Sequence, residues 1–333
     1  MKTKKNMWKR SFTAICLLSL MIAASGCQHH KKRVLKLAHG HDPSHPVHKG
    51  MVYMAERLQK ISGGEMEIEI YTGGQLCAER ECVELLQIGS LAMTKVSSAV
   101  MENFVPKYKI LGLPYLFKDR EHRFDVLDGE VGKEILLAST PFWLRGLTFY
   151  DAGSRSFYTI DRPINQPDDL KGMKIRVMKS VSSMNLIRNL GGSPTPIPYG
   201  ELYTALQQGV VDGAENNPPS FYFSRHYEVC KYYTIDEHSS FPDVLLISTH
   251  IWEKLNEQEQ QWLEQAVQES AVKQRELWAA SEKECLEAVK KAGVEVIYTD
   301  KVPFVDKVQP MYENYKQDTS IYKLIQKITE KKS

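Results

Sequence analysis

The chain is short of cysteine. Six occur in 333 residues, and no pair is spaced CxxC, which speaks against zinc ribbons and thioredoxin-type redox chemistry. Glycine and proline are missing from Asn256 to Ala292, so nothing in that stretch interrupts a helix. Internal repeats and low-complexity tracts are absent. The segment from Asp168 to Asn217 holds no Ser/His/Asp or Cys/His arrangement and no phosphate loop. Basic excess is missing as well once the front is set aside. Without residues 1–26, Lys and Arg fall from 43 to 38 against 41 Asp and Glu. A mature balance near −3 gives no pointer to nucleic acid.

The front itself reads as an export signal. Lys2, Lys4, Lys5, Lys9 and Arg10 form a basic region, and Ser11 to Ser25 is apolar, uncharged and short for a membrane span. It ends Ala24-Ser25-Gly26-Cys27. Small residues before a cysteine look like a lipoprotein processing site, which makes Cys27 the expected lipid-bearing residue; the alternative is an ordinary cleaved signal with an incidental cysteine. A lipid anchor holds a protein at a bilayer without spanning it. Residues 27–33 then read as a short basic tether. Export permits disulfides, but the 77–82 spacing does not reveal bridging geometry. Four structural thiols, at Cys77, Cys82, Cys230 and Cys285, are the default expectation.

The remaining length suits two α/β lobes. Val34 to Ala38 reads as a strand. Pro46 to Ile61 reads as a helix with Val47, Met51, Met54, Leu58 and Ile61 on one face. Met66, Ile68 and Ile70 alternate with glutamates, as in a half-exposed strand. Glu79–Ile88 (helix) and Leu91–Val96 (strand) follow, and this rhythm predicts a largely parallel sheet. A second unit starts near Gly153, with a strand at Lys174–Val177, helices at Val181–Leu190 and Gly200–Gln208, and a strand beginning at Val210-Val211. Val244–Thr249 is expected to return to the first lobe. Asn256 with Glu259 reads as a capping box. A continuous helix from there to Ala292 measures about 55 Å at ~1.5 Å per residue, long enough to cross both lobes.

Arg176 is placed by the short apolar run Lys174 to Met178, and Asp212-Gly213 is a turn that delivers Asn216 and Asn217. A guanidinium fork with amide donors suits a carboxylate; taken alone, an arginine at a strand end also fits a surface ion pair. Asn217 precedes two prolines and reads as the turn former. Lys95 interrupts an apolar strand, at its end or at a cleft. His39, His41, His45 and His48 have loose metal-like spacing, but Pro43 and Pro46 break any i,i+4 display, so a polar loop that reaches a ligand is the preferred reading. No metal or cofactor is expected.

The runs DLKGMKIRV, SPTPIPYGELYTALQQGVVDGAEN and YEVCKYYTIDEH resemble the solute receptors of tripartite ATP-independent periplasmic (TRAP) transporters, of the DctP type. The resemblance extends from about Leu35 to about Phe304. It implies a two-lobed, periplasmic-binding-protein-like α/β fold with a long helix spanning both lobes. The expected division is 34–152 plus 242–281 in lobe I and 153–241 plus 282–333 in lobe II. It also implies a binding function rather than an enzyme, a small-molecule carboxylate as ligand, and TRAP membrane permease subunits as partners. Arg176 matches the arginine that grips the ligand carboxylate, Asn216 the ligand amide, Arg155 a second cleft arginine, and Tyr199 an aromatic cleft wall. His238 matches a histidine near the lobe crossing. Glu79 and Lys95, with His39, His41 and His45, are the first-lobe candidates for polar ligand groups. The family usually has aspartate where Ala92 stands and glycine where Cys77 stands. AHGHDPSHP and ENNPPSFYFSRHYEV look like the sugar-acid branch, which makes glucuronate or galacturonate the expected ligand. A four-carbon dicarboxylate would need a second strong cation, which Arg155 or Lys95 can supply. An exported sugar-acid enzyme and a metal-binding lipoprotein are the alternatives from other classes.

Overall fold

The computed structural model describes residues 32–330; the signal segment and Cys27 lie outside them. Eleven strands form two sheets among the described residues: β1 (Arg33–Ala38), β2 (Met66–Tyr71), β3 (Met93–Ser97), β4 (Leu144–Tyr150), β5 (Arg155–Thr159), β6 (Lys174–Val177), β7 (Ser193–Pro196), β8 (Gly213–Asn216), β9 (Tyr232–Ser239), β10 (Asp243–Ser248) and β11 (Glu295–Tyr298). The first sheet runs β2-β1-β3-β10-β4 and the second β11-β9-β5-β8-β6-β7.

The sheets are mixed rather than largely parallel. β1 and β3 are parallel, but β10 runs antiparallel to both β3 and β4. In the second sheet β5 opposes β8 and β9, while β6 is parallel to β7 and β8. The reversals lie where the chain changes sheets. It leaves the first at Tyr150 and enters the second at Arg155, then returns from Ser239 to Asp243. Three or four residues are too few for the helical crossover that a parallel return requires. The strand expected from Val210 begins instead at Gly213, because Asp212 turns back to accept from Lys174 N at 2.6 Å.

The uninterrupted stretch forms a helix over Glu257–Lys291, 35 residues and about 52 Å long at ~1.5 Å rise. Its start is a reciprocal cap: Glu259 N donates to Asn256 Oδ1, and Asn256 N donates to Glu259 Oε2, both at 2.9 Å. Leu263, Ala266, Val267, Ala271 and Trp278 join the core made by Met51, Met54, Leu58, Leu245 and Ile247. Val289 joins another with Tyr158, Leu206, Phe221 and Tyr233. One helix therefore packs against elements of both sheets. Midway, Gln274 clasps the first chain crossing: its Oε1 accepts from Asp151 N and its Nε2 donates to Asp151 O, each at 2.8 Å.

The last helix, Thr319–Glu330, departs from the expected division. Its buried Ile321, Leu324, Ile325 and Ile328 share a core with Val126, Leu127 and Ile135, and His122 Nε2 donates to Ile328 O at 2.9 Å. The expectation placed 282–333 wholly with the second lobe. The helix is amphipathic, and the apolar surface it covers belongs to residues 106–137 of the first. Among the described residues no helix is long and apolar enough to cross a membrane.

Candidate functional site

The parallel strands of both sheets end at the same region. His39 follows β1, Lys95 lies near the end of β3, Arg176 near the end of β6, and Asn216 closes β8. Asp243 and Arg155 open the antiparallel strands β10 and β5. Ligands of open α/β sheets lie outside such carboxyl ends.

Lys95 is the centre of the first-lobe group. It is 2% exposed, and its Nζ lies 2.8 Å from His41 Nε2, 3.1 Å from Glu79 Oε1 and 3.2 Å from Asp243 Oδ1. β10 pairs Asp243 with Ser97, which sets Asp243 diagonally across the ladder from Lys95. Burial opposes the ammonium charge, but Asp243 and Glu79 outweigh it and raise the Lys95 pKa. The imidazoles answer oppositely. Burial, with help from Lys95, lowers His39 to about 3 and holds His41 well below its usual range. His45 is lowered by burial, then by His41 and Lys95. All three are therefore neutral. His41 N donates to His39 Nδ1 at 3.1 Å, which leaves His39 Nε2 to donate to His48 Nδ1 at 3.1 Å. His41 and His45 stack with centroids 4.0 Å apart.

Two cysteines bracket Glu79. Cys77 and Cys82 are joined in a disulfide, with Cα atoms 5.3 Å apart, which corrects the expectation of four thiols; Cys230 and Cys285 are the buried free thiols. The helix that begins at Glu79 brings Cys82 back over Cys77, a proximity set by backbone geometry rather than by spacing. Glu79 Oε1 also accepts from Ser97 N at 3.3 Å.

In the second lobe Arg176 is 2% exposed. Its Nε donates to Ile197 O at 2.9 Å, and its guanidinium lies 6.0 Å from the Tyr199 ring. Nη1 is buried with no hydrogen-bond partner among the described residues. Burial lowers its pKa. Arg155 is engaged quite differently. Its Nε and Nη2 hold the Glu215 carboxylate, the latter at 2.9 Å, and Nη1 donates to Asn216 Oδ1 at 2.7 Å. Asn217 N donates to the same oxygen at 3.0 Å, so Oδ1 is engaged twice and Nδ2 is the donor end of Asn216. Asn217 caps the following helix through Ser220 N at 2.8 Å, as its place before two prolines suggests.

His238 lies behind Glu215. It is fully buried, with Nδ1 2.8 Å from Asp236 Oδ2 and Nε2 3.6 Å from Glu215 Oε2. Burial works against its charge, yet the two carboxylates raise it to about 9. Burial also works against the Glu215 charge, and Arg155 and His238 overcome it, lowering Glu215 to about 2. Tyr199 is half-buried, its hydroxyl hydrogen-bonded to Ser224 Oγ.

The two groups meet. The His41 and Tyr199 rings are 5.9 Å apart, edge to face, and His45 Nε2 is 3.4 Å from Ser220 Oγ. Three participants escaped the sequence reading. Asp243 heads an apolar strand and looks like a boundary residue. Glu215 sits inside the motif that carries Asn216, and its signal is an acid in a short, wholly buried strand. His226, neutral through burial and then Arg176, accepts from or donates to the Tyr158 hydroxyl at 2.9 Å and lies 6.0 Å from Tyr199; nothing in its sequence context marks it. Among the described residues no three His, Cys, Asp or Glu are arranged to hold a metal.

Two sheets joined by short crossings and a common helix, with a buried polar site between them, define a two-lobed solute receptor. Residues 37–318 match the model of the bacterial extracellular solute-binding protein family 7, DctP, and the chain belongs to this family of TRAP solute receptors. YiiZ of Salmonella typhimurium is 38% identical over 324 residues, covering 97% of this chain and 98% of its own. A TRAP periplasmic solute-binding protein of a Bradyrhizobium species, solved with D-galacturonate, superposes with a TM-score of 0.88 at 40% identity, covering 90% of this chain and 100% of its own. Another from Pseudomonas putida F1, solved with D-glucuronate, gives 0.87 at 35% identity, covering 90% and 98%.

Proposed function

We propose that this receptor binds a hexuronate, D-galacturonate or D-glucuronate, between its lobes and passes it unchanged to the membrane subunits of a TRAP permease. The observation that carries the reading is Arg176, a buried guanidinium held by one carbonyl and with Nη1 unpaired. Burying a charge without a counter-charge is costly, and a ligand carboxylate supplies the missing partner through parallel charge-assisted bonds. Asn216 Nδ2 adds a donor beside it. Tyr199 supports a face of the sugar ring. His41 and Glu79 meet its hydroxyls, with His39 and Lys95 holding them in position, while Arg155 and His238 hold Asn216 and Glu215 in place. The hexuronates bound by the Bradyrhizobium and Pseudomonas proteins support the ligand class. Closure of the lobes follows from contacts that only the closed form completes.

Titration calorimetry tests the ligand. One of the two hexuronates is expected to bind with a micromolar or tighter Kd, which corresponds to about −8 kcal/mol or better. Heat only from four-carbon dicarboxylates would replace the ligand and keep the receptor. The anchor forms a second part of the proposal. Cys27 carries lipid and holds the receptor at the outer face of the membrane. A fatty-acid label is expected to enter the wild-type chain in cells and to be lost in Cys27→Ser; equal labelling of both would remove Cys27 from the account.

A further inference from the structure

We propose that Asp243, with Glu79, restricts the ligand to a single carboxylate: this acidic pair turns away a second one and takes sugar hydroxyls in its place. The inference rests on the reading of Arg176 as the carboxylate clamp. It follows from how the site's cations are partnered. Lys95 faces two carboxylates, Glu79 at 3.1 Å and Asp243 at 3.2 Å. Arg155 is committed to Glu215, and His238 lies between Asp236 and Glu215. Among the site's described cations, Arg176 is left as the one without a carboxylate within salt-bridge distance. The site can therefore neutralise one ligand charge.

The first-lobe end goes further and repels. Glu79 and Asp243 bring two negative charges to the one positive charge of Lys95, and the surrounding His39, His41 and His45 are neutral. A ligand carboxylate placed there meets a net negative wall, and like charges brought together across an interface are strongly disfavoured. Hydroxyls meet acceptors instead. Asp243 Oδ1 is taken by Lys95, but Oδ2 has His41 Nε2 no nearer than 3.7 Å, and a carboxylate oxygen accepts readily from a sugar hydroxyl. The acid has little freedom to swing away. It opens β10, paired with Ser97 of β3 on one side and Tyr150 of β4 on the other, and its side chain is 7% exposed. Neither Arg155 nor Lys95 is then available as the second cation that a dicarboxylate requires.

The experiment compares D-galacturonate with galactarate, and D-glucuronate with glucarate, by calorimetry on the purified protein; each diacid carries a second carboxylate at the other end of the same carbon chain. Wild type is expected to prefer the hexuronate it binds over the matching diacid by on the order of 100-fold, the scale of a like-charge contact. In Asp243→Asn, and separately in Glu79→Gln, that preference is expected to narrow at least tenfold through a gain in affinity for the diacid. The variants control for the difference between closed ring and open chain, and each stands in for the other if one fails to fold. Equal binding of a hexuronate and its matching diacid by wild type overturns this inference and leaves the receptor reading intact. A preference unchanged in a folded variant overturns it too. Binding of none of these acids by wild type overturns the sugar-acid reading itself, and this inference with it.

Discussion

Arg176→Ala is expected to weaken hexuronate binding by at least about 30-fold while leaving the unliganded protein at least as stable as wild type. The two halves of this result have one cause. In the unliganded chain the guanidinium is buried, donates from Nε to Ile197 O, and has Nη1 unpaired, so removing it relieves a desolvation cost that the protein itself does not recover. In the complex the same removal strands the ligand's carboxylate in a buried site. Truncating one member of a buried, hydrogen-bonded charge pair costs about 2–5 kcal/mol, roughly 30- to 5,000-fold in Kd. Thermal unfolding with and without ligand separates the roles. The apo transition should hold or rise, and the ligand-induced shift should shrink. Arg176→Lys should recover only part of the affinity, because an ammonium cannot make two parallel bonds to a carboxylate. Undiminished hexuronate affinity in the alanine variant would remove the clamp from the account.

The second large effect lies behind the site. Glu215→Gln is expected to destabilise the protein by about 3–5 kcal/mol, because Arg155 and His238 are then left with too little negative charge in a buried setting. The wild-type pH profile follows from the same group. His238 is raised from 6.5 to about 9. Its stabilisation is therefore complete below pH ~6.5 and is lost as pH rises through about 9. Glu215 is lowered from 4.5 to about 2, so its stabilisation is complete above pH ~4.5 and is lost as pH falls through about 2. Each contribution is on the order of 3 kcal/mol from a shift of that size. Asp236 works the other way: burial raises its carboxyl pKa against the pull of His238, which trims the gain at neutral pH. A plateau between pH ~4.5 and ~6.5 results, with an alkaline decline that should flatten in His238→Gln. Urea unfolding from pH 5 to 10 reads this directly. An alkaline limb of equal slope in wild type and His238→Gln would show that His238 is not the titrating group.

Local signals in the sequence found local features. The Asn256 and Glu259 cap, the uninterrupted helix and the strand under Arg176 each depend on neighbours a few residues apart, and each stands where the sequence puts it, within a residue or two. Asn217 was legible in the same way, as the cap of the helix that follows it. What escaped was non-local. Strand direction in the two sheets depends on where the chain crosses between them, which no strand's own residues record. Arg155 and His238 were visible through the family motifs, but the acid they share, Glu215, gained its meaning only when β5, β8 and β9 lay side by side. Asp243 is 148 residues from Lys95, and as the first residue of an apolar strand it carries no local sign of a polar role. The final helix was assigned by its place in the chain, while its apolar face was matched to surface formed some 200 residues earlier.

The central claim is that a buried, otherwise unpaired guanidinium selects the ligand by one carboxylate. Parallel calorimetric titrations with D-galacturonate and D-galactose, and with D-glucuronate and D-glucose, test it most directly, since the members of each pair differ only in whether the terminal carbon is a carboxylate or a neutral hydroxymethyl group. The expected result is binding of the hexuronate and no measurable heat from its parent hexose. Comparable affinity within a pair would mean that the ring hydroxyls carry recognition and that Arg176 is not the group that reads the ligand.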